Sequence, residues 1–366
     1  AILQLLDEAI ADTSAAVDVI AYDLSERSVF ERLLALAPRL RILIDDSAEH
    51  GEPDSGESVA AARLAQAGAL VRRQHMGRLQ HNKTIVVAGK RCKAVVCGST
   101  NFTWRGFYVQ NNNALVARGA GPVKVFRQAF EHYLANDGRA GFAATASAIG
   151  WQRLGVAGID AQVTFSPHAP AHAVLGQVAD DVLGATSSLF YSLAFLAQTS
   201  GSLREAVTRV TESSVFTYGM ADRRIGGIRL ETPGGNAYPV YPEALGGNLP
   251  EPFKSEPTGL SGGSGTRLHH KFIVIDFDRP TARVYLGSYN FSNPADRDNG
   301  ENLLCIRDRR VAVAYMVEAL RIFDHYHFRV LQSQPGAKQR LQLARPPAQA
   351  GDPAWFDEDY SVPRKI

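Results

Sequence analysis

Residues 81–102 read HNKTIVVAGKRCKAVVCGSTNF, and residues 269–291 read HHKFIVIDFDRPTARVYLGSYNF. Both run His-x-Lys, a β-branched stretch, a polar turn, a second apolar stretch, then Gly-Ser-x-Asn-Phe. The histidines are 188 positions apart (269 − 81 = 188) and the asparagines 189 (290 − 101 = 189), so one inserted residue in the second turn accounts for the difference. A nearly constant offset between two matching segments is the mark of an internal duplication.

Around these segments the chain alternates strands with helices. Before the first His the pattern predicts strands at 17–22, 41–45 and 69–72, with helices near 28–36 and 58–68. Before the second it predicts helices near 171–184 and 202–212 and strands at 188–194 and 215–218. Strands in alternation with helices read as α/β units with largely buried strands. Helices near 122–136 and 309–330 close the halves, and loss of periodicity near 140–160 marks the boundary. The expected organisation is an N-terminal half at 1–145, a C-terminal half at 160–330 and an extension at 331–366. A Gly/Pro-rich insertion at 219–268 stands before the second His and reads as a lid or a disordered loop. Its GGSG at 262–265 lacks the Lys-Ser/Thr and preceding strand of a phosphate-binding loop and reads as linker.

Composition removes several classes. Of 366 residues, 39 are Lys or Arg and 37 are Asp or Glu, so no global basic field announces a nucleic-acid partner, and any attraction for phosphate must be local. No run approaches the roughly 20 apolar residues of a membrane span. Residues 1–12 read as an amphipathic helix without a basic leader, so no signal peptide is expected; the chain is read as cytoplasmic, with a trimmed N-terminus. Cys92, Cys97 and Cys305 are an odd number and their spacing is not a common zinc pattern, so neither a disulfide framework nor a metal is expected.

In a strand, residues i and i+2 share a face, so His81 points with Lys83 and His269 with Lys271. Each Gly-Ser-x-Asn lets backbone approach a ligand while Ser and Asn offer hydrogen-bonding groups. Two imidazoles, two ammoniums and two amides, Asn101 and Asn290, make an anion site with pseudo-twofold symmetry. No carboxylate cluster with metal-ligand spacing accompanies it. Cations for the non-bridging oxygens, a nucleophile and an acid for the leaving group are the needs of phosphoryl chemistry.

On these motifs, and on Phe165-Ser166-Pro167 opening the second half, the sequence resembles the phospholipase D superfamily, whose hallmark is a duplicated HxKx4D followed by GSxN. The resemblance implies two α/β sandwich units packed as a pseudo-twofold pair with the active site between them. It also implies metal-independent, cofactor-free catalysis through a covalent phosphohistidine. Carried over, His81 is the nucleophile and His269 the general acid and then base. Lys83, Lys271, Asn101 and Asn290 bind phosphate, with Ser99 and Ser288 beside them. Asp276 completes the second motif, and Glu301, eleven residues after Asn290, matches the acid that holds a histidine ring. In the first half Ala88 stands at the place of Asp276, and Asn112 at the place of Glu301. Read half by half, a neutral Asn112 leaves His81 the less basic ring.

Three functions follow. The favoured one is hydrolysis of nucleic-acid phosphodiesters; the second is a phospholipase D or phosphatidyltransferase acting on phospholipid head groups; the third is a catalytically weak nucleic-acid-binding module. Arg72, Arg73, Arg78, Lys90, Arg91, Lys93 and Arg105, near Trp104, Phe107 and Tyr108, read equally as a nucleic-acid track or a solvated basic edge. His50, His75, His168, His172, His325 and His327 lack repeat partners and are taken as incidental, and His270 should face away from His269. Trp355, Phe356 and Tyr360 form an apolar patch expected to dock on the body.

Overall fold

A computed structural model describes residues 1–196, 199–221, 230–232, 235–237 and 268–333, with positions 348, 349 and 352 beyond. The tail patch and nearly all of the 219–268 insertion lie outside the described residues.

Two sheets carry the fold. The first has six strands: β1 (Ala16–Ala21), β2 (Leu40–Ile44), β3 (Leu70–Arg73), β4 (Lys83–Ala88), β5 (Lys93–Gly98) and β6 (Ala114–Arg118), in the order β3-β2-β1-β4-β5-β6. The second has seven: β7 (Gln152–Arg153), β8 (Asp160–Ser166), β9 (Ser188–Leu193), β10 (Phe216–Met220), β13 (Lys271–Ile275), β14 (Arg283–Gly287) and β15 (Glu301–Arg307). Their order is β10-β9-β13-β14-β15-β8-β7. Between β10 and β13 a two-stranded ribbon, β11 (Leu230–Thr232) with β12 (Gly235–Ala237), stands apart.

The sheets repeat one topology. Strand β1 pairs parallel with β2 and antiparallel with β4; β9 does the same with β10 and β13. The following two strands are antiparallel in both. Ala21 opposite Lys83 matches Leu193 opposite Lys271, which makes Tyr22 equivalent to Ala194 and Asp23 to Phe195.

Why the HxK strands read as unbroken apolar runs is visible in the packing. Val86 faces a core shared by both sheets, while Ile85 and Val87 face the outer helices of the first. In β13, Phe272 and Val274 enter the shared core while Ile273 and Ile275 face outward helices. Strands buried on both faces need no polar alternation. The outer layers are α1 (Ile2–Ala11), α2 (Arg27–Leu36) and α3 (Gly56–Gln66) on one side, and α7 (Leu175–Leu183) and α8 (Ser202–Thr211) on the other. Helix α1 buries Ile2, Leu5, Leu6 and Ala9, one stripe at helical spacing, with each large side chain contributing roughly 1.5–3 kcal/mol. Helices α5 (Ala120–Ala135) and α10 (Arg309–Ser333) line the shared core through Phe126, Phe130, Ala319 and Ile322. Among the described residues no helix is long and apolar enough to cross a membrane.

The halves are stitched by two reciprocal backbone bridges, Gln80 with Gly300 and Asn111 with Leu268. Gly300 N–H donates to Leu79 O at 2.8 Å, and His269 N–H to Asn111 O at 3.0 Å. Each bridge abuts one HxK motif, so the stitching itself brings the two motifs together.

Candidate active site

Each repeat delivers its asparagine by the same device. Gly98 and Gly287, at φ 149 and 150, end β5 and β14. A Cβ on Gly98 would lie 2.3 Å from Asn113 O, and one on Gly287 2.2 Å from Asn302 O, so only glycine lets the adjacent strand pass. The next serine fastens that turn: Ser99 Oγ accepts from Asn113 N–H at 3.1 Å, and Ser288 Oγ from Asn302 N–H at 3.0 Å. Thr103 and Ser292 then cap the short helices α4 (Trp104–Tyr108) and α9 (Asn293–Arg297). The repeat therefore extends one hydroxyl residue past Gly-Ser-x-Asn-Phe, a feature visible in the sequence. The side-chain oxygens of Asn101 and Asn290 are buried with no hydrogen-bond partner among the described residues, as expected of groups that face a ligand.

The histidines are held across the halves, not within them. His81 Nδ1 lies 2.8 Å from Glu301 Oε2, and His269 Nδ1 lies 2.8 Å from Asn112 Oδ1 and 3.1 Å from Ser99 O. This overturns the pairing read from the sequence, in which Asn112 served His81 and Glu301 served His269. Glu301 opens β15 and Asn112 stands two residues before β6, and each faces the other half across the seam. A carboxylate and a carbonyl only accept, so each ring carries its proton on Nδ1 and turns Nε2 inward. Asn112 is fixed in orientation because Oδ1 also accepts from Ser99 Oγ–H while its amide donates to Gly106 O.

The lysines lie beneath the rings. Lys271 Nζ is 3.1 Å from His269 Nε2 and 2.9 Å from His269 O, and Lys83 Nζ donates to His81 O. Lys83 sits over the Tyr22 ring at 4.5 Å and Lys271 faces Phe195 at 5.7 Å. All four groups are almost fully buried. Burial brings Lys83 down to about 7 against the opposing pull of Glu301, Asp23 and Asp45. Lys271 is driven well below its ordinary range by burial and then by Lys83. Burial also lowers His81, opposed by Glu301; His269 falls much further, through burial and then Lys271, Lys83 and the His81 ring. The four cationic groups thus act on one another's charge, and a bound anion would relieve all of them.

Asp276 does not join them. It sits at the opposite end of β13, where its carboxylate accepts from the backbone of Thr186 and Ser187 and from the hydroxyls of Thr186 and Thr281. A strand rising about 3.3 Å per residue carries the fifth residue after Lys271 roughly 16 Å away. Ala88 is no loss in the first half, because Asp12 fastens the equivalent end from the other side: its Oδ2 accepts from Arg91 and Cys92 N–H at 2.8 and 3.0 Å.

The other singled-out residues scatter. Arg78 pairs with Asp298, Arg72 with Asp137 and Leu134 O, and Arg91 bonds Ala11 O beside Asp12, so the basic run forms no single track. Arg105 does line a cavity of about 360 Å³ with Asp23, Ser25, Asn101, Thr103, Trp104 and Gln110. Trp104 of that lining is exposed, as is Tyr108 further along α4. His270 turns away towards Glu318, and buried His168 is locked to Asp296 and Thr164. His50 is not incidental: it stands beside Tyr22, whose ring edge also meets His81. Among the described residues, Asp23, His50 and Glu57 are the set whose ligand atoms lie within 4.8 Å of one another; here both His50 nitrogens are engaged by carboxylates as ion pairs.

Fold and site together define a duplicated α/β protein whose paired halves bring two histidines and two lysines into one buried cluster. Residues 6–134 and 247–323, more than half of the chain, match the family described as cardiolipin synthase, PLD-like domain, and the chain belongs to that family within the phospholipase D superfamily. It is 42% identical over 48 residues to the phospholipase D of Rickettsia prowazekii (strain Madrid E), a match covering 13% of this chain and 22% of the relative. The corresponding protein of Rickettsia felis gives the same figures, so the match spans about a fifth of these relatives' length. Among solved structures, phosphatidylserine synthase of Haemophilus influenzae superposes with a TM-score of 0.59 at 14% identity, covering 88% of this chain and 84% of that one. Polyphosphate kinase of Porphyromonas gingivalis gives 0.57 at 12% identity, covering 87% and 45%. Both likenesses are of fold.

Proposed function

We propose that the protein cleaves phosphodiesters through a phosphohistidine on His81. The observation that carries this is the crossed pairing: both rings are pinned at Nδ1 and present Nε2 to a pocket with two buried lysines. In the first step the His81 Nε2 lone pair forms the N–P bond as the P–O ester bond breaks. The leaving oxygen takes the proton shared by His269 Nε2 and Lys271 Nζ. Phosphorylated at Nε2 and protonated at Nδ1, the His81 ring is cationic, and Glu301 stabilises that charge. This supports His81 as nucleophile for a reason opposite to the one the sequence offered. His269, with only neutral partners at Nδ1, gives up a proton readily and then takes one from the water, or alcohol, that attacks phosphorus and frees His81. Lys83, Lys271, Asn101 and Asn290 hold the non-bridging oxygens.

For the substrate we favour nucleic acid, supported by the cavity that shares Asn101 with the site, is lined by Arg105 and carries exposed Trp104, a surface on which a base can stack. Phospholipid is the second reading, supported by the relatives named phospholipase D and phosphatidylserine synthase. Labelled single- and double-stranded DNA and RNA, tested beside phosphatidylcholine and phosphatidylglycerol vesicles in EDTA, separate the two. Loss of all turnover in EDTA refutes the metal-free reaction. An acid-quenched adduct on His269 instead of His81 reverses the roles.

A further inference from the structure

We infer that His50 is a positioning residue for His81, acting as a cationic clamp between the peptide that carries His81 and the wall of the neighbouring cavity. This rests on His81 being the nucleophile, and its test is chosen to separate the two.

His50 stands in the short turn Ala48–Gly51 that follows β2. Its Nδ1 lies 2.9 Å from Asp45 Oδ2 and its Nε2 3.0 Å from Asp23 Oδ1. A ring with a carboxylate at each nitrogen is an imidazolium, since both nitrogens must donate. In agreement, burial is the largest single influence and lowers the ring, but Asp23 and Asp45, with Glu57 adding, together outweigh it and raise the ring to about 10. On one side the clamp reaches the nucleophile's backbone: Asp45 Oδ1 accepts from Gln80 N–H at 2.6 Å, one residue before His81. On the other it holds Asp23, which lines the cavity with Asn101. Between the two imidazoles stands Tyr22, its ring 4.6 Å from each centroid.

The loop is itself tied down. Arg73 donates to His50 O at 2.6 Å and Asp45 O at 2.9 Å, and Ser55 Oγ–H donates to His50 O at 2.7 Å. The charged groups facing His50 are therefore Asp23, Asp45, Glu57 and, through the backbone, Arg73, with Lys83 across Tyr22. Among the described residues the second half offers nothing comparable: Ala194 and Phe195 replace Tyr22 and Asp23, so His269 has an apolar neighbour in place of a carboxylate.

Removing the cation while keeping the bulk leaves three carboxylates acting on His81 and Lys83, which favours their protonated forms. His50→Gln should raise the titration midpoint of the His81 ring, followed by NMR, by about one pH unit. That is the size expected for a unit charge within roughly 9 Å at an effective dielectric of about 20. Because His81 reacts unprotonated, the acid limb of kcat/KM for bis(p-nitrophenyl) phosphate should move up by the same amount, with rates falling about tenfold at pH values well below the limb and little at pH values above it. Asp23→Asn, which removes a carboxylate instead, should move the limb down, and it serves if His50→Gln does not fold. An unshifted His81 titration in folded His50→Gln, or equal shifts of the same sign in both variants, overturns the clamp. So does zinc binding that His50→Gln abolishes, since a ligand is not a clamp. If His81→Ala retained turnover, the nucleophile assignment would fall, while the NMR titration would still decide whether His50 acts on the His81 ring.

Discussion

The two halves share a topology, a glycine hinge and a serine fastening, yet they surround their histidines differently. His81 has a carboxylate at Nδ1 and a polar flank of Tyr22, Asp23 and Asp45; His269 has an amide and a carbonyl at Nδ1 and a flank of Ala194 and Phe195. Duplication supplies two equivalent rings, and the surroundings divide the labour between them. In the proposed reaction the ring that bears positive charge in the intermediate is the one beside the anion, and the ring that releases a proton has none.

The largest test of this division is to remove each ring. His81→Ala and His269→Ala should each lower turnover by at least about 10⁴-fold with circular dichroism unchanged. With an activated ester whose leaving group needs no acid, His269→Asn should still form the adduct and accumulate it, whereas His81→Asn should form none. Next, Glu301→Gln strips the first half of its distinguishing charge and should lower kcat by roughly 10²–10⁴-fold with a smaller change in KM. Asn112→Glu gives the second half what the first has. It should raise the His269 ring titration, leaving His81 nearly unmoved; a shift confined to His81 would refute the crossing.

The pH profile tests both halves together. The histidines lie below the ordinary value of 6.5, so the acid limb of kcat/KM should fall below that pH. In the proposed reaction Lys83 holds phosphate as a cation; lowered by burial to about 7, it should make free-enzyme activity decline as pH rises through neutrality. An alkaline limb beyond pH 9 would contradict this.

The smallest effects concern the far ends of the HxK strands. Asp276→Ala and Asp12→Ala each orphan several buried donors and should cost about 2 kcal/mol of stability, read from urea midpoints, with kcat unchanged. Asp276 is lowered to about 2, so its stabilising contribution is present above the unfolded carboxylate range and is lost as pH falls towards 2.

Much of this was legible from two segments. Their alternation placed His81 with Lys83 and His269 with Lys271, and their equal offsets implied equivalent strands, which the sheets bear out. Three things were not. Which ring Glu301 meets depends on how the halves pack, and no spacing within one half encodes a contact between halves. Asp276 completes the sequence motif, but the motif letter does not show that strand rise carries its carboxylate to the far end of β13. His50 has no repeat partner, and its link to His81 exists only through the Tyr22 ring and the Gln80 peptide, neither of which has a recognisable pattern. Most of insertion 219–268 and the Trp355 patch fall on residues outside the described structure.

The reciprocal seam has a consequence for synthesis. A ribosome releases His81 early, but the carboxylate that steadies this ring arrives only when residue 301 emerges, more than two hundred residues later. Until that strand docks, the nascent chain holds His81 without its Glu301 contact, and a chain cut short before residue 301 never acquires it. Assembly of the seam therefore waits on the last strand of the second sheet to be made.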